Sequence, residues 1–319
     1  MHIELSDFYS RLGTIGIILA LGFILGKSKL IDTKFNKILV NLLLTVFMPA
    51  SLFVAFPSSF DQATSDLFFK GLAAGCIVMF ALIIASRIIF NKAIYKGELR
   101  FESQFALIFN NATFLGYPIV ASTFGQQGII PYCGFIIAFN IALFSYGVYL
   151  FQRKVTPKLF LGIITNPNII AVVLGMVLFL TGFRLPGFVM DAAQFTGNAT
   201  TALSIICIGF MLSHAKFLKL IKKWRLTLTA AIQLIVGPLI AYGLLRAMHF
   251  PDEVVFVCTL IQALPTATSL GLFAAKYGGN DIESSELVTI STILSIGLMP
   301  LMVWLLLIRE KFLQVFGAF

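Results

Sequence analysis

Along this chain apolar residues run in long stretches broken by short polar clusters. They neither alternate, as in half-buried strands, nor recur on one narrow helical face. About 20 apolar residues cross the hydrocarbon core of a bilayer. On that rule ten spans are predicted, at 8–26, 37–56, 67–90, 101–124, 128–151, 160–182, 195–213, 226–248, 252–276 and 286–308. The connections between them leave no room for a soluble domain. Two spans depart from a plain apolar helix. Phe105–Gly125 (FALIFNNATFLGYPIVASTFG) carries Asn110 and Asn111 side by side, then Gly116 and Pro118. Hydrocarbon offers no partner to backbone polar groups, so a spanning helix satisfies them internally. Pro118 removes one donor and crowds the preceding turn, and Gly116 loosens the same place. The pattern predicts a helix broken at Pro118, beside two side-chain amides. In the other half of the chain, Gln262-Ala263-Leu264-Pro265-Thr266 interrupts span 9 near its middle. Breaks at that depth are tolerated where they line a cavity inside the protein.

Ten spans divide into five and five, and an odd number per half forces the halves to be inverted. Traces of such a repeat remain: span 1 reads ALGFILGKSKLID and span 6 reads VLGMVLFLTGFRLPG, while the interruptions at Pro118 and Pro265 fall at corresponding places. The expected fold is an all-α membrane protein of ten transmembrane helices, a 5+5 inverted repeat in which broken helices 4 and 9 cross. Residues 1–151 form the first repeat, 152–159 a short linker and 160–319 the inverted second repeat.

Composition agrees. Hydrophobic residues make up 59% of the 319 and charged ones 12%, about half the usual charged share of soluble domains. A net charge of +9 would suggest nucleic acid in a soluble chain, but here the cations sit in short loops. Those after odd-numbered spans, such as Lys27, Lys29, Lys34 and Lys37 or Lys216, Lys219, Lys222 and Lys223, far outnumber Arg11, Lys70, Arg184, Arg246, Arg309 and Lys311 on the other side. The positive side is cytoplasmic, so both termini are expected outside. The start, MHIELSD, is acidic and lacks a small-residue cleavage site, unlike a cleaved signal peptide. Cys76, Cys133, Cys207 and Cys258 each stand alone in an apolar run without metal or redox spacing, and are expected as small buried hydrophobes.

Candidate chemistry lies in polar side chains at membrane depth: Asn110, Asn111 and Thr113 in span 4; Gln262, Thr266, Thr268 and Ser269 around Pro265; Asn140 in span 5; Gln233 in span 8. Such groups usually face the bundle interior. They serve either as interhelical hydrogen-bonding glue, about 0.6 kcal/mol each, or as a site. The glue reading suits Gln233, whereas the asparagine pair accompanies a break and reads as a site. Pro49 in span 2 is expected near the substrate path, and Pro238 as a kink. Asn166-Pro167-Asn168 reads as a helix start. Two half-helix N-termini meeting at mid-membrane supply free N–H groups and partial positive charge, a cradle for a carboxylate. The central parts of spans 4, 5 and 9 hold no Lys or Arg, so the pattern points to a small organic anion held by dipoles and amides. Asp66, Asp191, Asp252, Glu253, Asp281, Glu283 and Glu286 fall near span ends, which argues against a pump built on buried acids. HExxH, GxSxG and P-loop motifs are absent, so enzymatic and ATP-driven readings lack their minimal parts. No cofactor or metal is expected; in a sodium-coupled reading Thr268 and Ser269 are the candidate sodium ligands.

Four motifs in order also resemble a known family. FNNATFLGYPIVASTFGQQG resembles the span-4 signature of auxin efflux carrier family transporters. ITNPNIIAVVLGMVL is similar to their Asn-Pro start of span 6, IQALPTATSLGLFAAKYGGN to their span-9 proline motif, and VTISTILSIGLMPL to their last span. The resemblance implies the ten-span fold of bile-acid-type sodium symporters. It also implies a homodimer with helices 1, 2, 6 and 7 as scaffold and helices 3–5 and 8–10 as an elevator-like transport domain. On it, Pro118 and Pro265 are the crossover prolines, Asn110 or Asn111 the substrate-contacting amide and Asn140 a span-5 contact. The long cytoplasmic loop of the plant exporters is missing, since residues 152–159 read QRKVTPKL, which suits a prokaryotic member. The implied activity is secondary transport of a small organic anion, either a dicarboxylate such as malate or an auxin-like carboxylate. The alternatives are a sodium-coupled symporter of bile-acid- or steroid-like anions, and a membrane sensor or channel.

Overall fold

The computed structural model describes residues 5–28, 32–56, 61–92, 95, 99–152, 161, 164–213, 223–277 and 279–316. The linker expected at 152–159 lies outside them beyond Gln152. The described chain is helical: α1 Leu5–Lys27, α2 Thr33–Leu42, α3 Met48–Phe53, α4 Gln62–Ile89, α5 Leu99–Ile108, α6 Tyr117–Ala142, α7 Val148–Gln152, α8 Pro167–Thr181, α9 Gly187–Ser213, α10 Trp224–Ala247, α11 Asp252–Gln262, α12 Ser269–Tyr277 and α13 Asp281–Phe316. Five stretches are long and apolar enough to cross a membrane: Lys34–Phe53, Gln62–Ile89, Ala112–Gln152, Trp224–Ala247 and Ile282–Met302. The protein is therefore an all-helical, multi-pass membrane protein.

Local chemistry sets the ends. Asp61 caps α4, accepting from the Thr64 amide at 3.0 Å, and these bonds hold its carboxyl below the usual range. Asn166 caps α8 through its Oδ1, with Pro167 in the first turn. Gly182, at φ 66°, closes the other end of α8, a left-handed position that glycine takes without strain. Gly125 interrupts α6 at φ 60°, ψ −149°, a region essentially reserved for glycine. The 41 residues of Ala112–Gln152 thus divide where spans 4 and 5 were expected to separate.

Three π-helical turns loosen the bundle, at Leu43–Phe47, Ala112–Gly116 and Leu143–Gly147. The first two stand directly before Met48-Pro49 and Tyr117-Pro118, and widening the turn relieves the clash of the proline ring. Span 4 is broken, but not at Pro118. The break lies at Phe109-Asn110-Asn111, between α5 and the turn Ala112–Gly116. Pro118 sits in the first turn of α6, where its missing N–H costs little. Span 9 breaks where expected, between Gln262 and Ser269. Span 7 starts earlier than the apolar run suggested, at Gly187 rather than 195. Cys133, Cys207 and Cys258 are buried as expected, whereas Cys76 is exposed.

The tightest helix pairs are α1 with α9 and α4 with α6. Both depend on reciprocal glycines. A Cβ on Gly22 would land on the Ile206 carbonyl, and one on Gly209 on the Leu19 carbonyl. Gly71 meets the Pro131 carbonyl and Gly134 the Phe68 carbonyl in the same way. Backbone approach of this kind drives packing where lipid supplies no hydrophobic force between helices. Gly71→Val is therefore expected to lower stability by about 1–3 kcal/mol or more, read as a fall in the unfolding midpoint in detergent. An unchanged midpoint would refute the contact.

Candidate functional site at the meeting of two broken helices

The two interruptions meet. Asn110 and Thr266 form an isolated antiparallel bridge. The Asn111 amide donates to the Pro265 carbonyl at 2.7 Å and the Ala267 amide to the Phe109 carbonyl at 3.0 Å. Among the described residues this is the one extended pairing, and it joins chain segments from opposite halves. Backbone groups that each helix gave up by breaking are satisfied by the other, which is what an apolar surrounding demands. The bridge is buried: Asn110, Gln262 and Thr266 are at most 1% exposed.

Side chains from four further elements hold the bridge. Gln233 on α10 donates its Nε2 to the Leu264 carbonyl at 2.7 Å and accepts from Thr266 Oγ1 at 3.4 Å. Ser291 Oγ on α13 accepts from the Thr266 amide at 3.0 Å. The Tyr132 hydroxyl, on the second part of α6, donates to the Ala112 carbonyl at 3.0 Å. Gly116 lets that ring approach, with 3.2 Å between the ring and the point where a Cβ would stand. Asn110 Nδ2 donates to Gln262 Oε1 at 2.7 Å, tying the end of α5 to the end of α11. Asn110 Oδ1 and Gln262 Nε2 are left with no partner among the described residues. A buried unpaired amide group costs about 1–3 kcal/mol, so this pair offers one acceptor and one donor to whatever binds.

The sequence candidates separate into two sets. Asn110, Asn111, Gln262, Pro265 and Thr266 gather at the bridge, and Gly116 and Pro118 support it from the following turn. Thr113 is half-buried in the π-helical turn, while Thr268 is exposed and Ser269, half-buried, opens α12. Asn140 is buried but turned to other partners, donating to the Ile136 carbonyl at 2.8 Å and accepting from Asn166 at 3.3 Å. Pro49 lies in α3, whose Ser51 donates to the Gly197 carbonyl on α9 at 2.6 Å.

Beside Pro265 lies a cavity of about 240 Å³. Leu115 and Ile119 border it from the span-4 side, Leu264 and Pro265 from the break in span 9, and Ile205 and Ile208 from α9. Gly16 and Leu19 on α1 and Thr292, Ser295, Ile296, Met299 and Pro300 on α13 complete it. None of the lining residues is charged. Glu102 escaped the sequence reading although it falls inside span 4. It is 0% exposed and accepts the Asn280 amide at 3.0 Å. The start of α13 covers it, a contact between distant parts of the chain that no local pattern marks.

Broken helices that share their backbone bonds beside a cavity are an arrangement found in membrane transporters. Comparison with other sequences leads to the same class. Residues 151–305 match the family described as membrane transport protein. An uncharacterized transporter of Methanocaldococcus jannaschii is 23% identical over 302 residues, covering 91% of this chain and 96% of that one. One from Methanothermobacter thermautotrophicus is 26% identical over 196 residues, 60% of this chain and 63% of the other. An uncharacterized sodium-dependent transporter of Bacillus subtilis is 31% identical over 129 residues, 39% of each chain. The second half of the chain is thus similar to membrane transport proteins, and most of its length to an uncharacterized transporter.

Proposed function

We propose that this protein is a secondary carrier that moves a small organic anion across the cytoplasmic membrane by alternating access. The observation that carries the reading is the bridge between Asn110 and Thr266, with a cavity on its flank. Half-helices begin on either side of that bridge, at Ala112 and Ser269, and their N-terminal dipoles favour a carboxylate. The unpaired Gln262 N–H adds one neutral donor. An uncharged, mostly apolar lining favours a single carboxylate on an apolar body over a dicarboxylate such as malate, whose second charge would be stranded.

The finer architecture belongs to the same proposal. Ten helices as an inverted repeat account for two breaks that meet as equivalents. The packing supports two bodies, with α1, α3, α8 and α9 as scaffold and α4–α6 and α10–α13 as the transport domain that slides in an elevator manner. Loop charge supports both termini outside. Asp191, Gln194 and Asn198 are exposed on α9 beside Phe188 and Phe195, and amides facing lipid are costly. A second copy covering that face explains them and makes the carrier a homodimer.

The experiment is counterflow in liposomes holding the purified protein. Labelled phenylacetate is expected to exchange saturably against its unlabelled form, malate weakly, and both without sodium. The name of the Bacillus subtilis relative supports the runner-up, a sodium-coupled symporter of larger organic anions with sodium near Thr268 and Ser269. A strict sodium requirement would establish that runner-up instead. Tight binding without any exchange would favour a sensor.

A further inference from the structure

Among the described residues lining the cavity beside Pro265, two side chains form hydrogen bonds, Thr292 and Ser295, and both have already spent their protons. Thr292 Oγ1 donates to the Val288 carbonyl at 2.7 Å and Ser295 Oγ to the Thr292 carbonyl at 2.8 Å. A hydroxyl carries one donor and two lone pairs, so each now faces its surroundings as an acceptor alone. Residues three apart share one face of a helix, so both border the same cavity. The remaining lining side chains are alkyl, thioether or proline groups. A ligand group that needs a donor, such as a carbonyl, an ether or a second carboxylate, finds none in this lining. An N–H or O–H on the ligand body finds two acceptors.

We infer that Thr292 and Ser295 are specificity-determining residues, which select within the anion class those substrates whose apolar body bears a hydrogen-bond donor. The inference rests on the carrier reading above and assigns ends to the ligand: the carboxylate toward the bridge amides, the donor toward α13. Ser and Thr commonly bond back to their own helix in membranes, and a purely local role of that kind predicts no effect on ligand choice. The difference is measurable.

The probes are the ring isomers of hydroxyphenylacetate, phenylacetate itself and the methyl ethers, each compared for binding to the purified protein and for counterflow. In the wild type, the best hydroxyl isomer is expected to bind about 3–10-fold tighter than phenylacetate, one net hydrogen bond, and its methyl ether to lose that gain. Thr292→Val with Ser295→Ala is expected to bring the ratio of hydroxyl-isomer to phenylacetate affinity to about one. Thr292→Ser, which keeps a hydroxyl, is expected to retain it, and the two single replacements serve should the double variant fail to fold. Phenylacetate exchange with no hydroxyl preference, or a preference untouched by the variants, overturns this inference and leaves the carrier reading standing. Failure of every ring anion to bind overturns it together with the apolar-anion assignment of the cavity.

Discussion

Asn110→Ala is expected to lower anion exchange by about 10–100-fold while leaving expression and helix content intact. The side chain donates at 2.7 Å to Gln262 Oε1 from a position 1% exposed. Truncation leaves the whole Gln262 amide unpaired, worth about 1–3 kcal/mol, at the place proposed to hold the ligand's carboxylate. Asn111→Ala is the informative control. Asn111 serves the bridge through its main chain, whose carbonyl accepts from Leu115 and Gly116 at 3.0 and 3.1 Å and whose amide reaches Pro265. Alanine preserves those bonds, so its exchange rate should stay within about fivefold of wild type, the range of one modest contact. Equal losses in the two variants would mean that the side-chain amides are not what distinguishes them, and wild-type rates in both would remove Asn110 from the site. Asn110→Asp adds a sign test: it keeps the volume and puts a negative charge where the proposal places an anion. Its rate should fall at least as far as that of the alanine variant.

The same residues show what the sequence can reveal and where it stops. Apolar run length predicted helices at membrane depth, because hydrocarbon enforces one backbone solution. Prolines marked both interrupted spans for the same reason. Proline identity did not fix the position of the span-4 break, since a proline in a first turn is compatible with a helix; the bridge partner across the fold decides where the chain opens. That partnership spans Asn111 to Pro265, a separation no local pattern encodes. The polar length of α9 was misjudged in a similar way. Asp191 and Gln194 fall before the apolar run at 195–213, yet the helix already begins at Gly187. Glu102 was passed over because a buried acid and a loop acid look alike until the helix end that covers it is known. Gln233 was read as packing glue, since nothing in span 8 marks it as the neighbour of the break in span 9.

Gln233 supplies the second large effect. Its side chain is 1% exposed and holds the chain on both sides of Pro265, through the Leu264 carbonyl at 2.7 Å and the Thr266 hydroxyl at 3.4 Å. Proline cannot donate and α11 ends at Gln262, so the Leu264 carbonyl depends on this amide. Gln233→Leu keeps the volume but strands that carbonyl, and a stability loss of about 1–3 kcal/mol is expected, against about 0.6 kcal/mol for an average interhelical contact in a membrane. Gln233→Glu separates the two bonds: the carboxylate still accepts from Thr266 but cannot donate to Leu264. If the donor is what matters, the glutamate variant should be as damaged as the leucine variant. Position and function are then told apart by combining Gln233→Leu with Asn110→Ala. Both act on the same break, so their effects on exchange should fall short of additivity, with a coupling of about 0.5–3 kcal/mol typical of groups in one network. Strict additivity would place Gln233 outside the site, as glue between α10 and α11. Coupling would make the amide of α10 the strut that keeps Pro265 and Thr266 facing Asn110.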